Sequence, residues 1–349
     1  MRDGRRTVWR ARGVTALIAQ AVCWLLVSCC AAMPARAQEG DGRSSPVGVI
    51  AITPIRPIPT QQDKVRLGER LFADARLSGD GTLACTSCHD LSRGGSDGQA
   101  RSKAGVGLHD FNALSVFNAA LNYRLNWRGD VRTLEEQNDA VVINPKLMGG
   151  DWGEILKKLA ADPGYASSFT ALYGPGWSTA QVLDALAEFQ RSLVTPDSRF
   201  DRYLRGERGA ITPAEERGFR LFESYGCISC HQGENVGGNL HQKFGIFTDP
   251  FSGRRPVTPA DLGRYLLTGR EEDRFVFRVP SLRNVALTAP YFHDGAVQAL
   301  DQAVAIMGRT QLGRELPAAE IDLIVQFLGT LSGEYRGVPL ERARESAPP

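Results

Sequence analysis

Apolar residues recur every three to four positions through the readable parts of the chain, and strict alternation of the strand type is scarce. In AQVLDALAEFQRSLV they fall at helical spacing, and Ser178-x-x-Gln181 supplies a capping-box start. Thr212-Pro213-Ala214-Glu215 is a second start, with proline in the first helical turn, and opens a helix leading to Cys227. ALDQAVAIMG reads as helix, and PAAEIDLIVQFLGTL closes the patterned region before a polar tail ending in proline. The pattern predicts a mainly α protein.

One apolar run has a different character. VTALIAQAVCWLLV follows Arg2, Arg5, Arg6, Arg10 and Arg12 and precedes Ala35-Arg36-Ala37, the arrangement of a secretory signal peptide over 1–37. A retained anchoring helix fits less well, because the run is short and meets a cleavage pattern. Leu26-Val27-Ser28-Cys29 resembles a lipobox, which would leave a lipid on Cys29; export to the periplasm is expected either way. Residues 38–60 are rich in Gly, Ser and Pro and read as a linker. DSRFDRYLRGERG (197–209) is charged, carries two glycines and reads as a junction between domains at 61–205 and 206–345.

Cleavage changes the charge picture. Six of the 41 basic residues and one of the 39 acidic ones lie in the leader, so the mature chain is slightly acidic and no nucleic-acid partner is implied. Of seven cysteines, Cys23, Cys29 and Cys30 also lie there, which leaves Cys85, Cys88, Cys227 and Cys230.

Those four form two identical signatures, Cys85-Thr-Ser-Cys88-His89 and Cys227-Ile-Ser-Cys230-His231. A redox dithiol needs no following histidine, and a zinc ribbon would bring its two pairs close in sequence. Covalent attachment of c-type haem needs this order: two thiols for the vinyl groups and the next imidazole as proximal iron ligand. Two haem c groups are expected.

The chain is also internally duplicated. Gly68-x-x-Leu71-Phe72 precedes the first signature and Gly218-x-x-Leu221-Phe222 the second; downstream, SVFNAALNYRLNWRG (115–129) matches SLRNVALTAPYFHDG (281–295), a correspondence that continues from Leu134 to Leu300. The copies differ where it matters. Met307 in the second copy corresponds to Val141 in the first. A thioether is a common sixth ligand that raises the potential of an electron-transfer haem, and here that reading outweighs core packing. One closed haem and one lacking its methionine read as an electron store beside a reaction centre.

The run VPSLRNVALTAPYFHDG followed by AVAIMGRTQLGREL resembles the bacterial di-haem cytochrome c peroxidase and MauG family. The resemblance covers nearly all of the mature chain. It implies two cytochrome-c-like helical domains, each with one covalently bound haem: peroxidatic in the first, electron-transferring in the second with Met307 on its iron. It implies reduction of hydrogen peroxide by a small donor protein, a cytochrome c or cupredoxin, and allows a homodimer. Trp127 matches the tryptophan between the haems, with a core aromatic as the alternative. Asn112 and the carbonyls of Thr288 and Pro290 match a calcium site, with a turn asparagine as the alternative. Gln137 matches the distal glutamine. His293 matches the histidine of the YFHDG segment, in a hydrogen-bonding role.

Two positions depart from the family. The distal acid expected ten residues beyond Gln137 is Leu147, which carries no proton; Glu136, Asp139 or Asp151 would have to substitute, or turnover is weak. The displaceable histidine of the first haem is not at its ungapped position, which holds Ala104, and His109 becomes the candidate, against an ordinary loop histidine. Met148 is a weaker candidate, with core packing preferred. Oxidation of a protein substrate in the manner of MauG disagrees with the retained Met307, while a non-catalytic sensor or carrier is suggested by Leu147.

Overall fold

Helix α1 (Gln62–Phe72) and helix α5 (Thr179–Ser192) cross so closely that a Cβ on Gly68 would lie 1.9 Å from the Ala185 carbonyl oxygen. The same crossing recurs between α7 (Pro213–Ser224) and α10 (Ala318–Gly329), where a Cβ on Gly218 would lie 2.0 Å from the Leu323 oxygen. The glycines of the two G-x-x-L-F motifs are therefore the contact points of two equivalent helix pairs. These features belong to a computed structural model that describes residues 51–104, 107–252 and 256–345. The expected signal peptide, with Cys23, Cys29 and Cys30, and the first part of the linker lie outside the described residues.

Between the framing helices of the first half lie α2 (Leu134–Ile143), α3 (Trp152–Ala160) and α4 (Pro163–Tyr173). Asp151 caps α3 and Asp162 caps α4, each accepting from backbone N–H groups that the first helical turn leaves unpaired. The second half runs from α6 (Arg199–Leu204) through α7, the short α8 (Tyr265–Thr268) and α9 (Leu300–Leu312) to α10. A last helix, α11 (Leu340–Glu345), follows. The capping boxes read from sequence are formed: Thr212 N donates to Glu215 Oε2 at 2.7 Å, and Ser178 N to Gln181 Oε1 at 2.9 Å. Strands are minor. Three two-stranded antiparallel ladders occur among the described residues, one of which pairs His241–Lys243 with Val276–Arg278.

Each half has its own core. Leu71, Phe72, Phe169, Leu186 and Phe189 centre the first, and Phe200, Phe219, Phe222, Phe327 and Leu331 the second. The halves meet at a pseudo-symmetric point. Asn118 and Asn284, equivalent in the duplication, both adopt φ of 60° and both donate to the Thr195 hydroxyl, at 2.8 and 3.0 Å. The described residues form one compact unit.

Two stretches read as connectors are packed instead. Ile52 and Ile55 in the expected linker are buried; Ile52 bridges to Gly233, and Thr53 O accepts from Arg283 Nη2 at 3.0 Å. In the charged junction, Phe200 and Asp201 are fully buried in α6, and Asp201 pairs with Arg283 at 2.8 Å. Composition marked both stretches as polar, but long-range partners bury their few apolar residues.

Candidate functional site

Each C-x-x-C-H signature is folded as a 3-10 turn, Cys85–Ser87 and Cys227–Ser229, directly after its loop from α1 or α7. The amide of His89 donates to Cys85 O and that of His231 to Cys227 O, both at 3.0 Å, which presents two thiols and one imidazole from a single turn. None of the four cysteines is in a disulfide, and none belongs to a His/Cys/Asp/Glu cluster able to hold a metal among the described residues. Burial pushes the thiols up, to about 12 for Cys85 and about 11 for Cys227, so neither is a reactive thiolate. Raised thiol pKa values and separate, unclustered pairs favour neither a reactive dithiol nor a shared zinc site.

Both imidazoles are held neutral. Burial lowers the pKa of His89, whose Nδ1 lies 3.2 Å from Gly95 O; with the proton on Nδ1, Nε2 is the free ligand atom. Burial pushes His231 down to about 4, and its Nδ1 faces the Val236 and Pro280 carbonyls without closing a hydrogen bond. Phe72 and Phe222 flank the two histidines at equivalent places, each with ring centroids 6.5 Å apart. The duplication thus extends to the site itself.

The second signature opens on a cavity of about 440 Å³ whose wall includes Cys227, Cys230, His231 and, from α9, Met307. Phe222, Val304, Leu316 and Leu328 make much of the remaining wall apolar. Two thiols, an imidazole and a thioether around an apolar space suit a covalently held haem with a sixth ligand.

On the first side, Val141 packs against the core and Met148 is buried within it. Gln137 stands on α2 with its side-chain oxygen buried and without a hydrogen-bond partner, an acceptor left open for a donor. Leu147 is half-buried in the turn after α2. The three neighbouring acids have other tasks. Glu136 accepts from Arg132 N at 3.0 Å and Asp151 caps α3, both exposed, while Asp139 accepts from the Trp152 indole at 2.6 Å. His109 is half-buried, with Nδ1 3.0 Å from Phe111 O. The side chain of Ala104 lies outside the described residues.

Asn112, Trp127, Thr288, Pro290 and His293 all reach the wall of the 440 Å³ cavity. Trp127 Nε1 donates to Asn112 O at 2.9 Å, and Asn112 N donates to His293 O at 2.8 Å. Asn112 Nδ2 donates to Gln99 O at 2.8 Å, which turns Oδ1 over to any other partner. The His293 ring meets Trp127 edge-on at 6.3 Å and stacks on Phe277 at 4.6 Å. Its Nε2 lies 2.7 Å from Asp261 Oδ1, a carboxylate with no exposure at all. Sequence reading missed Asp261: it lies 32 residues from His293, inside what reads as a plain capping motif, and Thr258 N and Oγ1 do donate to its other oxygen. It also passed over Arg278, in the same cavity wall.

Residues 62–209 match the family described as di-haem cytochrome c peroxidase. Cytochrome c peroxidase Ccp of Escherichia coli is 43% identical over 289 residues; the match covers 81% of this chain and 62% of that protein's length. Cytochrome c551 peroxidase of Nitrosomonas europaea is 41% identical, with 82% of this chain and 86% of that protein covered. Among solved structures, a MauG-like protein associated with microbial copper homeostasis superposes with a TM-score of 0.71 at 31% identity, covering 81% of this chain and 93% of that one. No helix among the described residues is long and apolar enough to cross a membrane.

Proposed function

The chain belongs to the di-haem cytochrome c peroxidase family, a family of peroxidase-type oxidoreductases with two haem cofactors, and on that premise we propose that it is a periplasmic enzyme reducing hydrogen peroxide to water with electrons from a small donor protein, a cytochrome c or cupredoxin. The observation that carries the proposal is the asymmetry of the two equivalent sites: Met307 and His231 line one cavity, while the first half has Val141, packed against its core, at the position equivalent to Met307.

Cys85, Cys88 and His89 would hold the first haem, and Cys227, Cys230, His231 and Met307 the second. When bound, the haems supply iron for peroxide binding and the two electrons that the reduction consumes. The rest falls to the chain. Gln137 Oε1 accepts a hydrogen bond from peroxide and fixes its orientation. His109, whose Nδ1 lies 3.0 Å from Phe111 O, would serve as the displaceable ligand of the first haem through Nε2 when Nδ1 carries the proton. Trp127, fixed by Asn112 and His293, bridges the two halves. Asn112 Oδ1 with the carbonyls of Thr288 and Pro290 would hold calcium, since hard oxygen donors suit that ion. Two protons must reach the departing oxygens, and Glu135 and Asp139, each two positions from Gln137, are the half-buried acids nearest to it in sequence.

Leu147 favours a second reading, a di-haem redox sensor or carrier that does not turn over peroxide. Mixing pre-reduced holoprotein with hydrogen peroxide and a reduced cytochrome c separates the two. Catalytic oxidation of the cytochrome is the expected result; a rate no greater than that of free haem contradicts the enzyme reading.

A further inference from the structure

The segment Phe277–Arg283 places two arginines in the wall of the 440 Å³ cavity, each 3% exposed. Arg283 has its own counter-charge, Asp201, 2.8 Å away and equally buried. Arg278 has none among the described residues. Its Nε donates to Asn126 O at 3.0 Å, and its Nη1 to Asn122 Oδ1 at 3.2 Å and Val279 O at 3.5 Å. All three acceptors are neutral, and Nη2 takes part in none of these bonds. Burial pushes the Arg278 pKa down to about 10, still far enough above neutrality for the group to be charged. A buried guanidinium surrounded by neutral dipoles is costly unless an anion comes to it.

The duplication sharpens the point. At the constant offset of the repeat, Arg278 corresponds to Asn112, so the first copy has a neutral residue where the second has a fixed cation. The paired Asn118 and Asn284, a few residues on, fix that register in three dimensions. Charge is therefore specific to the half that carries Met307. It is also tied to the bridge between halves: the amide of Arg278 donates to Trp127 O at 2.8 Å.

We propose that Arg278 is the counter-ion for a carboxylate of the haem attached at Cys227, Cys230 and His231, and that it thereby orients that haem's acidic edge toward Trp127 and raises its reduction potential. The inference rests on the di-haem reading above. The physics is direct. Reduction adds one negative charge to the haem, and a fixed cation in a low-dielectric wall favours the reduced state. The same cation keeps the carboxylate ionised, so the potential does not vary with pH near neutrality. A planar guanidinium suits this task because it offers two parallel donors to one carboxylate.

The test uses full-length holoprotein, with Arg278→Gln and Arg278→Lys, and reads potentials by spectroelectrochemistry and the carboxylate-bending band of the haem by resonance Raman. In R278Q the second haem should lose at least tenfold in preference for the reduced state, about 59 mV for one electron. Its midpoint should also become pH-dependent where the wild type is flat. R278K, which keeps the charge but not the fork, should retain most of the potential and still shift the Raman band. An R278Q protein with both haems attached, an unmoved midpoint and an unmoved band overturns the proposal. If R278Q does not fold, the band in R278K decides: a shift supports the proposal and an unchanged band overturns it. Inorganic phosphate added to the wild type should leave the midpoint in place; a saturating response would mean that a free anion fills the site, and overturns it too. Mass spectrometry showing no haem on Cys227 and Cys230 of the wild type defeats the di-haem reading itself, an outcome distinct from the others.

Discussion

At the scale of single residues, the two sites are separated by a few side chains in otherwise equivalent frames. Met307 and Val141 are one such pair: with Met307 as the proposed ligand of the second haem, replacing it with Ala should lower that haem's midpoint by more than about 59 mV, a tenfold change in its redox equilibrium. Redox titration followed in the visible spectrum checks this. Leu147 is the other decisive position. General acid–base groups contribute roughly 10²–10⁴-fold, so Leu147→Glu should raise the steady-state rate with peroxide by about 10² or more. If that rate does not change, protons reach the site by another route. The first difference was legible in the sequence because the repeat supplies an internal control, and Leu147 because the family resemblance supplies an expected acid at its position. Asp261 was not legible, since a buried carboxylate opposite a distant histidine leaves no periodic trace.

At the scale of elements, the close helix crossings make a sharp prediction. A methyl group on Gly68 or Gly218 would meet backbone oxygen at 1.9 or 2.0 Å, so Gly68→Ala and Gly218→Ala should each destabilise the fold by about 1–3 kcal/mol or more. Gly329→Ala is the control, because a Cβ there meets nothing within 4 Å, and should be neutral or slightly stabilising. Chemical denaturation of the three variants gives the comparison. Acid sensitivity follows from the start of α7. Burial raises the Glu215 pKa, but Arg199 and the Thr212 amide outweigh it and hold the carboxyl below its usual value. Glu215 therefore stabilises the folded state above the unfolded pKa of about 4.3, and that contribution fades as pH falls through the lower folded value. Glu215→Gln should flatten the acid limb of a stability–pH curve. The helices and their caps could be read from sequence because their signals are local, whereas the crossing distance that makes glycine necessary depends on a partner helix more than 100 residues away.

At the scale of the whole molecule, the two halves share one body, and buried charge helps join its parts. Arg283 reaches Asp201 in α6, Ser198 before it, and Thr53 in the segment preceding α1. Arg283→Met would leave Asp201 buried without its partner, and should cost about 3–5 kcal/mol in a denaturant titration. Sequence reading found the duplication and both haem signatures, yet took 51–60 and 197–209 for connectors. Their packing depends on contacts such as Ile52 with Gly233, which no local pattern encodes.

A haem closed by methionine beside one that opens to peroxide, the arrangement proposed above, has a distinct spectroscopic signature. Electron paramagnetic resonance and absorption spectra of the half-reduced holoprotein test that arrangement most directly. The expected result is a second haem that is reduced first and stays six-coordinate, beside an oxidised first haem with a high-spin, five-coordinate population that hydrogen peroxide converts. Two low-spin, six-coordinate haems that ignore peroxide in every redox state would contradict it.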